Sequence, residues 1–215
     1  MTTNTIIIHH RNGSMLHEVE STSLHDAIVR LAASGADLTG ADLARADLTG
    51  ANLSMADLAR ANLAEANLAR ADLTGANLSM ADLARADLTG ADLRGANLAE
   101  ANLARADLRG ANLRGANLRG ADLRGARLNG STLGDSEWTL IGERPLLFIG
   151  PIGSRSDYVS LWLTSHGPFV RAGCFFDSLT AFKSAVDKTH GTGIHGQEYC
   201  AAIELFEHHV RIFGQ

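Results

Sequence analysis

The sequence predicts a mainly β protein, in which residues 36–135 form a coiled β-structure of about five turns. A leucine recurs at every fifth residue from Leu38 to Leu133, and an alanine precedes each leucine by two positions until Ser131 replaces it. On an α-helix this period would scatter the leucines over every face, and on a flat strand it would send neighbouring leucines to opposite sides. The backbone must therefore turn once in each repeat, so that four repeats close a square coil and the twenty repeats stack into five coils.

The chain on either side lacks this period, which divides the sequence into three parts. Residues 1–35 precede the repeats, residues 36–135 are the repeats, and residues 136–215 bring back aromatic side chains. Both ends of a β-coil are open sheet edges, which invite aggregation unless they are covered. We therefore expect residues 1–35 to cap the first coil and residues 136–215 to form a small α+β domain.

The N-terminal part predicts a β-hairpin followed by a helix, which together make a ββα cap. Residues 5–9 are rich in β-branched side chains, Asn12-Gly13 is a strong turn pair, and residues 15–19 resume an extended run. Ser23 is a helix-capping residue, and Gly35 ends the helix directly before the first repeat. The apolar stripe of this helix comprises Leu24, Ala27, Ile28 and Leu31.

Four histidines in the N-terminal part suggest a metal site as an alternative. No cysteine and no H-x-x-x-H pair on one helical face supports ligation there. We therefore expect these histidines to be solvated or to occupy turns: His9, His10, His17 and His25.

Each position of the repeat has a physical role. Leucine fills the axis, and alanine is small enough to pack at the second inward position. The Asp or Asn between them, such as Asp37, points outward and bonds the amides of the turn. Glycine recurs at the last position, as at Gly40, where the turn requires a backbone angle that other residues rarely adopt.

The repeat pattern A-(D/N)-L-x-x, as in Ala36-Asp37-Leu38-Thr39-Gly40, resembles the pentapeptide-repeat family over about half of the chain. This resemblance implies a right-handed quadrilateral β-helix. Family members that protect DNA gyrase from quinolones resemble duplex DNA in size, shape and negative charge, so a DNA-mimicking modulator of gyrase or topoisomerase is the alternative function. The tract here is short and regular, and arginine offsets its acids, which favours a binding, scaffold or spacer role.

Charge changes along the repeats. Residues 36–85 carry seven acids and four arginines, a net charge of −3, whereas residues 86–135 carry six acids and seven arginines, a net charge of +1. Clustered charge of one sign can attract a partner of the other sign, although such a cluster can also simply be a solvated face. The arginines that form this candidate anion or partner surface are Arg94, Arg114, Arg119 and Arg124.

The C-terminal part predicts at least three antiparallel strands followed by two helices. It resembles a C-terminal domain of phage and prophage-like pentapeptide-repeat proteins through Ile149-Gly150-Pro151-Ile152-Gly153-Ser154-Arg155 and Gly173-Cys174-Phe175-Phe176. This resemblance implies no known activity. The predicted strands are 144–150, 157–164 and 169–173, and the predicted helices run from 178 to about 191 and from 196 to 213.

Two chemical sites in the C-terminal part each have a simpler interpretation. Cys174 with His190 or His195 would supply zinc ligands or a thiol nucleophile, but the spacing matches no zinc module and favours a buried structural cysteine. A glycine-rich loop would hold an anion, but it lacks the lysine and the following helix of a P-loop and fits a tight turn. The candidate anion-binding residues of this loop are Gly153, Ser154 and Arg155.

The last predicted helix has an apolar stripe. These residues either cover the sheet, which we favour, or leave apolar surface for a two-fold contact between copies. The stripe comprises Tyr199, Ile203, Phe206, Val210 and Phe213.

Composition and charge argue against several functional classes. A net charge of −5 favours neither nonspecific nucleic-acid binding nor an anionic membrane surface. No stretch has the apolar length of a membrane span, and the first residues lack the basic region of a signal peptide. With only two cysteines and no sign of secretion, the expected compartment is the cytoplasm.

The sequence therefore predicts a non-enzymatic binding, scaffold or spacer protein that needs no cofactor and no metal. Its expected partner is a protein whose identity the sequence does not give. We expect neither direct nucleic-acid binding nor membrane binding, and we expect a monomer or a homodimer formed through the C-terminal domain.

Overall fold

A computed structural model describes residues 3–133, 140–141, 146–152, 157–172 and 175–214. The chain divides into two compact units, Met1–Glu137 and Trp138–Gln215. In the described residues no helix is both long enough and apolar enough to cross a bilayer.

The first unit begins with a hairpin and a helix, at the positions where the sequence predicts them. Strand β1 (Asn4–His9) pairs antiparallel with β2 (Met15–Ser21), and helix α1 (Leu24–Ala33) follows. The hydroxyl of Ser23 accepts a hydrogen bond from the N–H of Asp26 at 3.1 Å, which satisfies one free donor at the start of α1. The apolar side chains Ile8, Ala27 and Ile28 are buried.

The hairpin contacts the first coil through backbone hydrogen bonds. The carbonyl of His9 accepts from the N–H of Asp42 at 2.7 Å, and the N–H of Arg11 donates to the carbonyl of Gly40 at 3.0 Å. In the later coils the N–H at the position of Asp42 donates to the preceding coil, as the N–H of Asn62 does at 2.8 Å. The hairpin thus supplies an acceptor that the first coil would otherwise lack.

The repeats form a parallel ladder with a period of twenty residues. Isolated bridges join Asp42 to Asn62 and continue through every Asp or Asn position to the pair of Asp107 and Arg127. The same register places β3 (Asn112–Leu113) parallel to β4 (Thr132–Leu133). Since each residue meets the residue twenty positions later, one coil contains four pentapeptides.

The interior of the coils matches the predicted pattern. The leucines from Leu38 to Leu128 are at most 7% exposed, and the alanines from Ala41 to Ala111 are at most 6% exposed. In the last coil the alanines become half-buried: Ala116, Ala121 and Ala126. Leucine and alanine burial therefore stabilises the full length of the tract, and it is least complete at the last coil.

Each repeat ends in a tight turn. The N–H of the next alanine donates to the leucine carbonyl, for example from Ala81 to Leu78 at 3.1 Å. A positive φ at the third residue alone is the signature of a type II turn, which favours glycine. Nine of these positions nevertheless hold Arg, Met or Glu with φ between 58° and 61°: Arg45, Met55, Arg60, Glu65, Arg70, Met80, Arg85, Glu100 and Arg105.

These turns lead to a stability prediction. Arg60, which is exposed at φ 59°, should be under backbone strain because the left-handed region costs a residue with a Cβ about 1–2 kcal/mol. Arg60→Gly should relieve this strain, but glycine also makes the unfolded chain more flexible, which offsets part of the stabilisation. We therefore expect Arg60→Gly to raise the free energy of unfolding by about 0.5–1 kcal/mol. Urea denaturation monitored by circular dichroism measures the change.

The reverse substitution is the control for this prediction. Gly90 has φ 67°, and a Cβ added there would meet only the Cγ atom of Arg70, at 3.8 Å. Gly90→Ala should therefore lower the free energy of unfolding through backbone strain alone. A loss of stability in Arg60→Gly would contradict the strain argument.

The second unit is a four-stranded antiparallel sheet with two helices. The strands β5 (Leu146–Ile152), β6 (Asp157–Thr164), β7 (Gly167–Ala172) and β8 (Phe175–Ser178) pair in sequence order. Helices α2 (Leu179–His190) and α3 (Ile194–Phe213) follow. The fourth strand lies outside the three predicted ones, because it is short and runs directly into α2, where Ser178 is the N-cap.

The core of the second unit lies between β6, β7 and the two helices. Val159, Leu161 and Leu163 alternate along β6 and pack with Phe182 of α2 and Phe206 of α3. Every member of the predicted apolar stripe of the last helix packs in or against this core, so that stripe covers the sheet: Tyr199, Ile203, Phe206, Val210 and Phe213.

Candidate partner-binding surface of the repeat tract

The predicted arginine surface is built from the position that directly follows the leucine. Four consecutive repeats carry arginine there, so one full coil displays an arginine from each of its repeats. Another arginine occupies the same position one coil earlier, at Arg94. We call the group of four the arginine coil: Arg109, Arg114, Arg119 and Arg124.

The neighbouring Asp or Asn fixes the backbone at these arginines. In eighteen successive repeats, from Asp37 to Asp122, the side-chain oxygen accepts the N–H of the residue two positions later. This confirms the predicted turn bond. The arginine and the Asp or Asn two residues before it are therefore held on the same edge of the turn.

Where the earlier residue is aspartate, the arginine forms an ion pair with it. The shortest nitrogen–oxygen distance is 2.7 Å between Arg109 and Asp107 and 2.6 Å between Arg124 and Asp122. Arg94 pairs with its own aspartate in the same way, at 2.7 Å. In each pair the hydrogen bond from the guanidinium holds the pKa of the aspartate below its usual value, although partial burial opposes the shift. Because the pKa is lowered, the pairs are intact at neutral pH and weaken only as the pH falls through that pKa.

Two of these ion pairs also balance stacked carboxylates. Asp72 and Asp92 are bridged neighbours on adjacent coils, and Asp87 and Asp107 form a second such pair. The hydrogen bond that Arg94 donates to Asp92, and then the negative charges of Asp92 and Asp72, raise the pKa of Arg94. Arg94 therefore compensates the negative charge of these aspartates. Unlike the prediction for the partner surface, it is not a free cation.

Where the earlier residue is asparagine, the arginine lacks the carboxylate two positions before it that the other arginines bind. Asn112 and Asn117 accept the backbone N–H of Arg114 and Arg119 at 3.3 and 3.1 Å, but they carry no charge. In the described part of the chain, neither arginine takes part in an ion pair. Arg114 is half-buried and Arg119 is exposed. We call these two arginines the free-cation pair.

The asparagines next to this pair are themselves held by hydrogen bonds along the axis of the coil. The amide of Asn117 donates to Asn97 at 3.0 Å, and Asn97 donates to Asn77 at 3.3 Å. Asn112 accepts from the hydroxyl of Thr132 at 2.9 Å. Of the four arginines in the arginine coil, Arg109 and Arg124 are ion-paired, whereas the described residues show no ion pair for Arg114 or Arg119.

Ion pairs also join neighbouring coils earlier in the tract. Arg45 donates to Glu65 of the next coil at 3.0 Å, and Arg85 lies 3.7 Å from the same carboxylate. All three side chains are largely exposed, so these pairs contribute little to stability.

Histidine partners in the N-terminal segment were not predicted from the sequence. His17 Nε2 lies 2.5 Å from the carbonyl oxygen of Asp37, and His25 Nδ1 lies 3.4 Å from that of Asp47. Each ring therefore donates to a carbonyl of the first coil. The contacts join residues 20 and 22 positions apart, so the local sequence pattern held no signal for them.

The other predicted sites are described only in part. The candidate anion loop, residues 153–155, and Cys174 lie outside the described residues. His190 packs against the ring of Tyr199 at 5.2 Å, and His195 Nδ1 lies 3.2 Å from a carboxylate oxygen of Glu198. Across the described ranges, no group of three potential metal-ligating side chains comes together.

Comparisons with known proteins address the repeats. A family model for pentapeptide repeats matches the chain in eight copies, over residues 33–64, 51–90 and 91–130. No curated protein matched.

Several solved structures are similar to part of the chain. HetL, a pentapeptide repeat protein involved in heterocyst differentiation regulation from the cyanobacterium Nostoc sp. strain PCC 7120, is 36% identical over 47% of this chain and 59% of its own, with a TM-score of 0.31. Rfr23 from the cyanobacterium Cyanothece 51142 is 43% identical over 42% of this chain and 61% of its own, with a TM-score of 0.22. The chain thus spans about three fifths of the length of these two proteins.

A plant protein is matched over more of its length. A pentapeptide repeat protein from the Arabidopsis thaliana thylakoid lumen is 31% identical over 52% of this chain and 70% of its own, with a TM-score of 0.30. The chain therefore belongs to the pentapeptide-repeat family, whose repeats form a right-handed β-helix.

Proposed function

We propose that the chain is a non-enzymatic binding protein whose repeat tract presents the free-cation pair to an acidic protein partner. The tract would be a quadrilateral β-helix, because four pentapeptides with one turn each give every coil four sides. The observation that carries the proposal is the absence of a carboxylate partner for Arg114 and Arg119, within the described residues, in a coil whose other two arginines are paired.

The surroundings of the free-cation pair favour binding. The ladder and the turn bonds hold the backbone on both sides of each arginine, so little main-chain order is lost when a partner docks. A guanidinium without a competing carboxylate can form two parallel hydrogen bonds to a carboxylate of the partner. In the cytoplasm, which is the compartment that we propose, an acidic segment of another protein supplies such carboxylates.

The charge pattern of the tract gives less support to the gyrase-modulator alternative. Mimicry of DNA requires a continuous line of negative charge, as the phosphate backbone has. Residues twenty positions apart stack in a column along the axis of the coils. In each column at the Asp or Asn position, no more than three of the five stacked residues are carboxylates. Arginine ion pairs further reduce this charge at Asp92, Asp107 and Asp122. We therefore expect an acidic partner rather than a DNA-binding one.

Quantitative affinity capture tests the proposal. The full chain and two variants are used as bait in lysate of the source cells, and the captured proteins are quantified by mass spectrometry. Arg114→Gln with Arg119→Gln removes the free-cation pair. Arg94→Gln with Arg124→Gln removes two ion-paired arginines and changes the net charge by the same amount, so it is the matched control.

We expect the unchanged chain to capture an acidic protein. Its capture should be lost with Arg114→Gln and Arg119→Gln and kept with Arg94→Gln and Arg124→Gln. Equal capture by all three baits would contradict a role for the free-cation pair. Capture of gyrase subunits by all three baits would favour the alternative function.

A further inference from the structure

The turn of the N-terminal hairpin places an asparagine side chain next to the backbone nitrogen of a glycine. Asn12, Gly13 and Ser14 are all exposed. Gly13 lies in the left-handed region at φ 83°, and a Cβ added there would have no neighbour within 4 Å. The nitrogen of Gly13 can therefore approach the side-chain carbonyl carbon of Asn12 with no side chain in between.

Two hydrogen bonds converge on the side-chain oxygen of Asn12. The N–H of Ser14 donates to Asn12 Oδ1 at 2.9 Å, and the hydroxyl of Ser14 donates to the same atom at 2.7 Å. Donors aimed at a carbonyl oxygen stabilise the negative charge that develops on it when a nucleophile adds to the carbonyl carbon. Ser14 therefore activates the carboxamide of Asn12 toward attack.

We propose that Asn12 is a site of spontaneous deamidation. The nitrogen of Gly13 forms a bond to Cγ of Asn12, and the Cγ–Nδ2 bond breaks. The leaving nitrogen takes the proton of the Gly13 amide and departs as ammonia, which leaves a cyclic imide. Water then opens the imide at either carbonyl and gives aspartate or, where the main chain runs through Cγ, isoaspartate. The net reaction consumes water, releases ammonia and needs no oxidant or reductant.

One hydrogen bond of the turn opposes the reaction. The N–H of Gly13 donates to the carbonyl of His10 at 2.8 Å, so this bond must open before the nitrogen attacks. An exposed turn opens locally at a lower free energy than the core of a domain does. The reaction is therefore slow, but it proceeds in the folded chain.

The asparagines of the repeat tract lack this combination. Eight of them precede a buried leucine, and the next coil holds leucine N–H groups such as that of Leu63, which donates to the carbonyl of Asp82 at 2.7 Å. The tract has its own exposed Asn-Gly pair at Asn129-Gly130. There the carbonyl of Asn129 accepts from the N–H of Gly110 at 3.1 Å, which restrains the rotation that attack requires.

The reactive turn lies beside the contacts that hold the hairpin to the first coil. Arg11 directly precedes Asn12, and its N–H donates to a carbonyl of the first coil at 3.0 Å. Its guanidinium lies 3.7 Å from Asp82, and the carbonyl of His9 accepts from the N–H of Asp42. Isoaspartate lengthens the main chain by one atom, and both products place a new carboxylate beside Arg11. Conversion should therefore weaken the contacts of the hairpin with the first coil.

Peptide mass spectrometry of the full chain tests the site. The protein is incubated at mildly alkaline pH and sampled over weeks, and both Asn-Gly peptides are quantified in every sample. Asn12 should convert about tenfold faster than Asn129, because its turn opens more readily and carries the two donors of Ser14. Equal rates would show that the dipeptide alone governs the reaction, and they would overturn the proposal.

Removal of the serine hydroxyl tests the activation separately. Ser14→Ala should slow the conversion of Asn12 by about threefold, since one of the two donors to Oδ1 is lost. Thr5→Ala is the matched control, because it removes a hydroxyl of the same hairpin that donates to Glu20 instead. The control should react at the rate of the unchanged chain. An unchanged or faster conversion in Ser14→Ala would contradict activation by Ser14.

Hydrogen exchange followed by nuclear magnetic resonance measures the effect on the cap. After conversion, the N–H of Asp42 should exchange about tenfold faster, because its acceptor on His9 is held less firmly. The N–H of Asn62, which donates to Ala41 at 2.8 Å, is the internal reference between the first two coils. Asn12→Ser forms no imide and should keep slow exchange after the same incubation. Unchanged exchange at Asp42 in the converted chain would overturn the effect on the cap.

Discussion

Removal of residues 1–35 is expected to make the chain aggregate. The truncation deletes the carbonyl of His9 that accepts from Asp42, and the ring of His17 that donates to Asp37. We expect it also to uncover the apolar interior of the first coil, whose Leu38 is fully buried in the intact chain. An uncovered sheet edge above an exposed apolar interior is a template for pairing with other chains.

Static light scattering and far-ultraviolet circular dichroism of the truncated chain measure this effect. Scattering should grow with time at concentrations where the intact chain stays clear, while the spectrum keeps its β character. Asn12→Ser is the matched control, because it alters the exposed hairpin turn but removes none of the contacts to the first coil. A truncated chain that stays soluble and does not grow in size would refute the capping role that we propose for residues 1–35.

The second large effect is expected at the centre of the repeat tract. Leu83 is fully buried, and its neighbours above and below, Leu63 and Leu103, are fully buried as well. Leu83→Ala should lower the free energy of unfolding by about 3–5 kcal/mol, since the ladder on both sides prevents the coils from closing the cavity. Urea unfolding monitored by circular dichroism measures the loss.

Two further variants make this measurement specific. Met80→Ala truncates a partly exposed side chain in the preceding repeat and should change the free energy of unfolding by less than about 0.5 kcal/mol. Leu123→Ala should cost less than Leu83→Ala, because the last coil is more open and Leu123 is 7% exposed. Equal losses at Leu83 and Met80 would show that leucine burial does not hold the coils together.

The repeats could be predicted so fully because their pattern is local. A strict five-residue period allows one arrangement that buries every leucine, so the burial of Leu38 to Leu128 and the turn bonds of the Asp and Asn side chains follow from one repeat. The hairpin and α1 were predictable for the same reason, because Asn12-Gly13 and Ser23 are short-range signals. Their role as a cap depends on contacts with the first coil, and it stays a prediction until the truncation is made.

Features that depend on distant neighbours were harder to predict. The predicted arginine surface included Arg94 and Arg124 together with Arg114 and Arg119. The residue two positions earlier is aspartate for the first two and asparagine for the other two. That signal was present in the sequence, but its meaning depends on the turn geometry that places the two side chains together. Strand β8 was missed because four residues next to a helix cap show no clear alternation.

We propose that position, and not net charge, decides which arginines of the last coils bind an acidic partner. A fluorescent peptide of ten glutamates, titrated with the full chain and followed by fluorescence anisotropy, tests this claim directly at low ionic strength. Asp122→Asn is a useful third variant, because it should free Arg124 while keeping the turn bond that asparagine makes in other repeats.

Arg114→Gln with Arg119→Gln should weaken binding by about tenfold, which corresponds to about 1.4 kcal/mol. Arg94→Gln with Arg124→Gln should change the affinity by less than about twofold, and Asp122→Asn should tighten binding. If both arginine double variants weaken binding equally, the affinity follows the total charge, and the assignment of Arg114 and Arg119 as the binding pair is contradicted.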